Sequence, residues 1–149
     1  MSQREYPFRF AERCLYEYHE NVARLGKLRD RLAVLYASST AAVQNWDANH
    51  GKGAMGDPVA IRELKILNLE EEIKRLAERT EPITRLMANL EAPYVLEGSP
   101  KHELAQVARL YYFGGNERKT IGEKLGMEPR TLYRRRVKLV RMVVYYMGL

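Results

Sequence analysis

Arg130, Arg134, Arg135, Arg136, Lys138 and Arg141 crowd into a twelve-residue stretch near the C-terminus. The chemistry open to guanidinium and ammonium groups is recognition of phosphates and of the acceptors on base edges, not bond making. Nucleophilic chemistry is poorly supported. Ser2, Ser38, Ser39 and Ser99 fall at a terminus, late in a predicted helix or at a helix cap, so a serine recombinase, which also needs strands for its catalytic domain, does not fit. No enzyme, metal or cofactor is expected.

The elements that must carry these cations are legible in KTIGEKLGMEPRTLYRRRV, residues 119–137. A short amphipathic helix ends at Leu125-Gly126, because glycine adopts the left-handed conformation of a helix cap without steric cost. Pro129 suits a first helical position, which has no use for an N–H, so a second and basic helix begins at once. Two helices joined by so short a turn predict a helix-turn-helix. Ile121, Leu125, Met127 and Leu132 are its expected core, Gly126 its turn, and Gly122 the small residue where the two helices cross.

On a helical wheel started at Arg130, residues Arg134, Lys138 and Arg141 lie within about 80°, with Leu132, Leu139 and Val143 roughly opposite. A charge run is usually just a solvated face. Here the turn chemistry and the small residue at the crossing are independent of charge, and they favour a DNA-facing helix. Arg130, Tyr133 and Arg134 are expected at base edges, arginine matching the two acceptors of guanine. Lys119, Thr120, Arg135, Lys138 and Arg141 are expected on phosphates. Arg136 falls nearer the apolar side and is given no DNA role; its stem is expected to pack while its head finds a carboxylate or the backbone.

Charge is divided unevenly over the 149 residues. Residues 1–97 hold 14 Lys and Arg against 15 Asp and Glu, whereas residues 98–149 hold 11 against 4, so all of the net +6 lies with the predicted motif. That asymmetry predicts a nucleic-acid-facing C-terminal module on a neutral N-terminal one. Hydrophobic residues make up 46% of the chain, enough to bury a core. The lone Cys14 forms no internal disulfide and is read as a buried thiol in a reducing compartment. No apolar run approaches the length of a membrane span and the N-terminus is too polar for a signal peptide, so a soluble cytoplasmic protein is expected.

Ahead of the motif, Ala11, Leu15, Tyr18, Val22, Leu25, Leu32 and Tyr36 step by threes and fours with one gap at Arg29, a heptad seam on a helix predicted from about Phe8 to Gln44. Gly26 weakens its middle by roughly 1 kcal/mol relative to alanine, so a bend is expected there. Asp57-Pro58 starts a second helix whose seam is Ile66, Leu69, Ile73, Leu76, Thr80, Ile83, Met87 and Leu90. Pro82 interrupts it, which predicts a kink or two abutting helices with Thr80 as a cap. Leu28, Leu35, Leu64 and Leu67 broaden both stripes, so dimerisation or docking of the C-terminal helix on this hairpin is expected.

Between these helices, Gly51, Gly53 and Gly56 spell a dinucleotide-type glycine motif, but it follows a helix and not a strand, so it is read as a linker. Asp47, His50 and Asp57 lack a second cluster and are not assigned a metal. Trp46 is expected to anchor the loop. Pro93 and Gly98 mark a hinge at 93–99, Ser99-Pro100 caps a new helix to Phe113, and Gly114-Gly115 ends it.

Residues 104–140, with the GG turn, the I-G-E-K-L-G helix and the T-L-Y-R-R start, resemble a sigma-factor region-four helix-turn-helix. The order of long helix, glycine-rich loop ending in Asp-Pro, second long helix and C-terminal motif is similar to the ArpU/RinA-like phage transcriptional regulators. Glu128 stands where such motifs commonly place Ser or Thr, and a carboxylate there repels phosphate. The resemblance implies a phage or prophage activator at late or packaging genes. The expectation is an all-α chain: a long antiparallel, coiled-coil-like hairpin over 1–92, the hinge, and a three-helix helix-turn-helix domain over 100–149. It should bind double-stranded DNA as a homodimer or higher homo-oligomer. The alternatives are the DNA-recognition small subunit of a phage packaging terminase and a sigma-like adaptor that binds RNA polymerase.

Overall fold

A computed structural model describes residues 5–38 and 57–149. The described residues hold only helices and turns: α1 (Glu5–Tyr16), α2 (Tyr18–Ala37), α3 (Pro58–Leu90), α4 (Pro100–Val107), a π-helical segment (Ala108–Phe113), α5 (Arg118–Leu125) and α6 (Pro129–Met147). The Gly51–Gly56 loop, Trp46, Asp47, His50 and the expected helix end at Gln44 lie outside the described residues. No described helix is long and apolar enough to cross a membrane.

Local chemistry accounts for most helix ends. Asp57 accepts the Val59 N–H through Oδ1 at 3.0 Å, with Pro58 at the first helical position of α3. Ser99 does the same for His102 at 3.3 Å ahead of Pro100. At the other end of α2, the Ser38 hydroxyl and both Nε and a terminal nitrogen of Arg62 donate to the Leu35 carbonyl. A guanidinium suits that carbonyl because the C-terminal end of a helix carries partial negative charge.

Two interruptions differ from expectation. The predicted Phe8–Gln44 helix breaks at Glu17, while Gly26 stays helical and exposed. The break is slight, since Glu17 N–H still reaches Arg13 O and Asn21 N–H still reaches Glu17 O. Of the kink or abutting helices expected at Pro82, the abutting helices are not found: α3 runs through Pro82 as one helix, with Thr80 in its interior and not at a cap, and both residues are buried.

The compact units are drawn differently from the expected 1–92 and 100–149. One consists of residues 1–21 with 78–149, the other of residues 22–77. In the first, Ala11, Cys14 and Leu15 of α1 and Ile83, Leu86 and Leu90 of α3 share one core with Leu104, Val107, Ile121, Leu132, Leu139, Val140 and Val143. The reason is surplus apolar surface: α6 buries a wide stripe that α4 and α5 leave partly open, and α1 packs along it. Burial pushes the Cys14 thiol up, with the charge of Arg79 opposing.

The second unit is thinner. Leu25, Leu28 and Leu76 are buried together, with Leu69, Ile73 and Ala77 packed against them. The pairs Arg24–Glu72 and Leu35–Arg62 set α2 and α3 side by side in opposite directions. Of the expected seam on α2, Leu25 is buried, together with Leu28, while Val22 and Tyr36 are exposed.

Candidate nucleic-acid interface

The turn between α5 and α6 is built on one carbonyl. Gly126, at φ +63°, caps α5, and its N–H and that of Met127, the latter at 2.9 Å, both reach the Gly122 carbonyl. The left-handed conformation there favours glycine. Gly122 is held by contact instead: a Cβ on it would lie 2.9 Å from the Met127 carbonyl oxygen. Glu128 takes the extended N-cap conformation before Pro129, yet its carboxylate makes no capping hydrogen bond. Ile121 and Leu132 are fully buried beneath this turn, and Leu125 and Met127 half-buried.

The helix that follows presents two faces. Leu132, Arg136, Leu139, Val140 and Val143 are buried. Arg130, Tyr133, Arg134, Lys138 and Arg141 are exposed, as is Lys119 on α5, while Thr120 is half-buried. Among the described residues, no ion pair ties up Arg130, Arg134, Lys138 or Arg141. Arg135 differs from its expected place on a phosphate. Its Nε–H is donated to Glu103 of α4 at 3.1 Å, which turns the guanidinium back onto the protein.

Arg136 is the buried cation of the unit. Its guanidinium stands 4.0 Å from the centroid of the Tyr111 ring and 5.9 Å from that of Tyr112, and one terminal nitrogen lies 3.4 Å from Glu12 Oε2. Tyr112 donates its hydroxyl to the same carboxylate oxygen at 2.7 Å, and Tyr16 donates to the Tyr111 hydroxyl at 3.0 Å. The π-helical segment is what lets consecutive tyrosines both engage α1. Gly114 closes that segment where a Cβ would meet Asn116 Nδ2 at 2.8 Å and the Arg109 carbonyl at 2.9 Å.

Titration follows this geometry. Burial and the hydrogen bond to Tyr111 push Tyr16 up to about 12. Tyr111 moves down: burial would raise it, but the Tyr16 hydrogen bond and the guanidinium groups of Arg118 and Arg136 outweigh that. Tyr112 is pushed up by burial and by its bond to Glu12. Desolvation works against the Arg136 cation, and the adjoining tyrosines more than offset it.

Tyr133 borders two clefts. One, about 430 Å³, lies between α5 and α6 and is lined by Arg118, Lys119, Gly122, Met127 and Arg136. The other, about 650 Å³, lies between α1 and α6 beside Pro7, Phe8, Arg9, Val137 and Arg141. Arg118 and the Pro7–Arg9 end of α1 border the exposed face of α6 and were not anticipated from the sequence. The alternation of ring and cation in Pro7-Phe8-Arg9-Phe10 is the local signal for the latter. Comparison with family models, with curated proteins and with solved structures finds no match to the chain in any of the three.

Proposed function

We propose that the chain is a sequence-specific, double-stranded-DNA-binding transcriptional regulator in which α5, its glycine turn and α6 form a helix-turn-helix, with α4 as the supporting third helix. The observation that carries this reading is the exposed row Arg130, Arg134, Lys138 and Arg141 directly after a left-handed turn, without a carboxylate partner among the described residues. Unpaired cations on a rigid helix retain their charge for phosphates and their forked donors for guanine. Arg130, Tyr133 and Arg134 read bases from the first turns of α6. Lys119, Thr120, Lys138 and Arg141 hold the backbone. Arg135, engaged by Glu103, is left out of the phosphate set.

The resemblance to ArpU/RinA-like regulators extends the proposal to late or packaging genes of a phage or prophage. Selection of bound duplexes from a random pool, followed by titration at several salt concentrations, tests it. One recovered consensus is expected, with a slope of log affinity on log salt of about −2.7 per chain for the three cationic phosphate contacts Lys119, Lys138 and Arg141. A pool that yields no consensus, or affinity indifferent to salt, overturns it.

A further inference from the structure

An α-helix with its side chains is about 10–12 Å across and the major groove of a duplex about 12 Å wide, so a helix seated there fills it from wall to wall. Whatever flanks the exposed face of such a helix meets a phosphate strand, because the strands are the walls of the groove. The N-terminal end of α1 holds that position beside α6. Pro7, Phe8 and Arg9 form one side of the cleft of about 650 Å³ whose other side includes Tyr133, Val137 and Arg141. On the α6 wheel Val137 and Tyr133 stand about 20° and 60° to one side of Arg130, with Arg134 and Lys138 on the other side. The cleft therefore opens beside the cation row and not behind it, and Arg141 belongs to both.

The lining of this cleft says what occupies it. Its charged members, Arg9 and Arg141, are both exposed cations, and no carboxylate lines it, whereas the cleft between α5 and α6 includes Glu123. A concave surface charged with one sign concentrates the opposite sign. Phe8, Val137 and the Tyr133 ring offer apolar surface to the uncharged sugars between phosphates. The two walls are also joined close by: Glu12, three residues beyond Arg9 on α1, lies 3.4 Å from the Arg136 guanidinium of α6. Resting on the DNA reading, we infer that this cleft seats the sugar-phosphate strand along one wall of the groove that α6 enters, with Arg9 on a phosphate. The start of α1, far from the motif in sequence, is thereby a second DNA-binding element.

Salt titration of affinity, with phosphate-ethylation interference on the selected duplex, tests it in the full chain, and far-UV circular dichroism confirms that each variant keeps its helices. Arg9 adds one cationic contact to the three counted above, so Arg9→Gln should reduce the magnitude of the salt slope by about 0.9, on the selected duplex and on an unrelated one alike. It should also erase interference at one phosphate of one strand and leave the rest of the pattern. Arg9→Lys, which keeps the charge, should retain both. Arg85→Gln is the control: Arg85 donates to the Tyr146 carbonyl at 3.3 Å, and Tyr146 stands about 160° from Arg130 on the wheel, so the same charge is lost from the opposite flank of α6 and neither readout should change. An Arg9→Gln protein with the wild-type slope and interference pattern, or an Arg85→Gln protein that loses as much slope, overturns the role of α1 and leaves α6 as the reading helix. A wild type with neither a consensus nor a salt slope overturns the DNA reading and this inference with it.

Discussion

Arg136 and Tyr111 lie face to face, guanidinium carbon 4.0 Å from the ring centroid, directly behind the exposed row of cations on α6. With Glu12 at 3.4 Å on the same guanidinium, the contact ties α1 to the back of the helix proposed to read DNA. A cation desolvated on an aromatic face is worth about 2 kcal/mol. Removing it also strips Glu12 of its cationic partner, leaving the Tyr112 hydroxyl on a carboxylate that is only partly buried and therefore partly rescued by water. Arg136→Ala should destabilise by roughly 2–3 kcal/mol in denaturant unfolding. Arg136→Met, which keeps volume against the rings, should lose less. Equal losses, or a change under about 0.5 kcal/mol for alanine, would mean that the cage contributes nothing beyond packing.

Tyr112 sets a pH dependence. Its folded pKa lies above the ordinary value of 10.0, so the stability it contributes is complete below pH 10 and disappears as pH rises through the folded value. Tyr112→Phe removes that term along with one hydrogen bond, costing about 1 kcal/mol at neutral pH. Above pH 10 the wild type should therefore lose stability more steeply than the variant. Parallel curves in alkaline unfolding followed by circular dichroism would contradict the assignment.

Three glycine-to-alanine substitutions should not behave alike. At Gly122 the added methyl meets the Met127 carbonyl at 2.9 Å, a backbone atom in the turn, and the shift it forces should cost about 1–3 kcal/mol. At Gly126 the positive φ of 63° adds roughly 1–2 kcal/mol of strain. Gly26, by contrast, is a helix-interior glycine with nothing within 4 Å of a new Cβ, so Gly26→Ala should stabilise by about 0.5–1 kcal/mol. Thermal unfolding of the three variants reads the signs; a stabilised Gly122→Ala protein would dispute the turn.

On α6, neighbouring cations should separate by role. Arg134→Ala should cost roughly 1–3 kcal/mol at the selected site and little on unrelated duplex, whereas Lys138→Ala should weaken both and reduce the salt slope by about 0.9. Arg135→Ala should leave that slope unchanged, because Glu103 already holds its Nε–H. Salt titrations in which Arg135→Ala and Lys138→Ala lose the same slope would remove the distinction.

Much of the local architecture was readable without coordinates. Pro58, Pro100 and Pro129 start helices and Gly114 and Gly126 end them, since each signal acts through its own backbone and a few neighbours. The seam of the second long helix also ends inside at Ile66, Leu76, Thr80, Ile83, Met87 and Leu90, because one period of burial runs along it. Partners were not readable. Glu12 and Arg136 are 124 residues apart, and no period on either helix says that α1 chooses α6. What the wheel did show was that Arg136 points away from its fellow cations. The π-helical segment was invisible for a similar reason: its extra width is stabilised by what Tyr111 and Tyr112 reach across the core, not by propensity within ARLYYF.

The central claim, that the open face of α6 reads duplex DNA, is tested most directly by anisotropy titration of the wild type and an Arg130→Ala, Arg134→Ala double variant. Each is titrated against the selected duplex and a scrambled one at the same salt. The wild type should prefer the selected duplex by roughly a thousandfold or more, and the double variant should bind the two almost alike while keeping its melting temperature. If the double variant retains the full preference, or the wild type never shows one, α6 does not read DNA through this face.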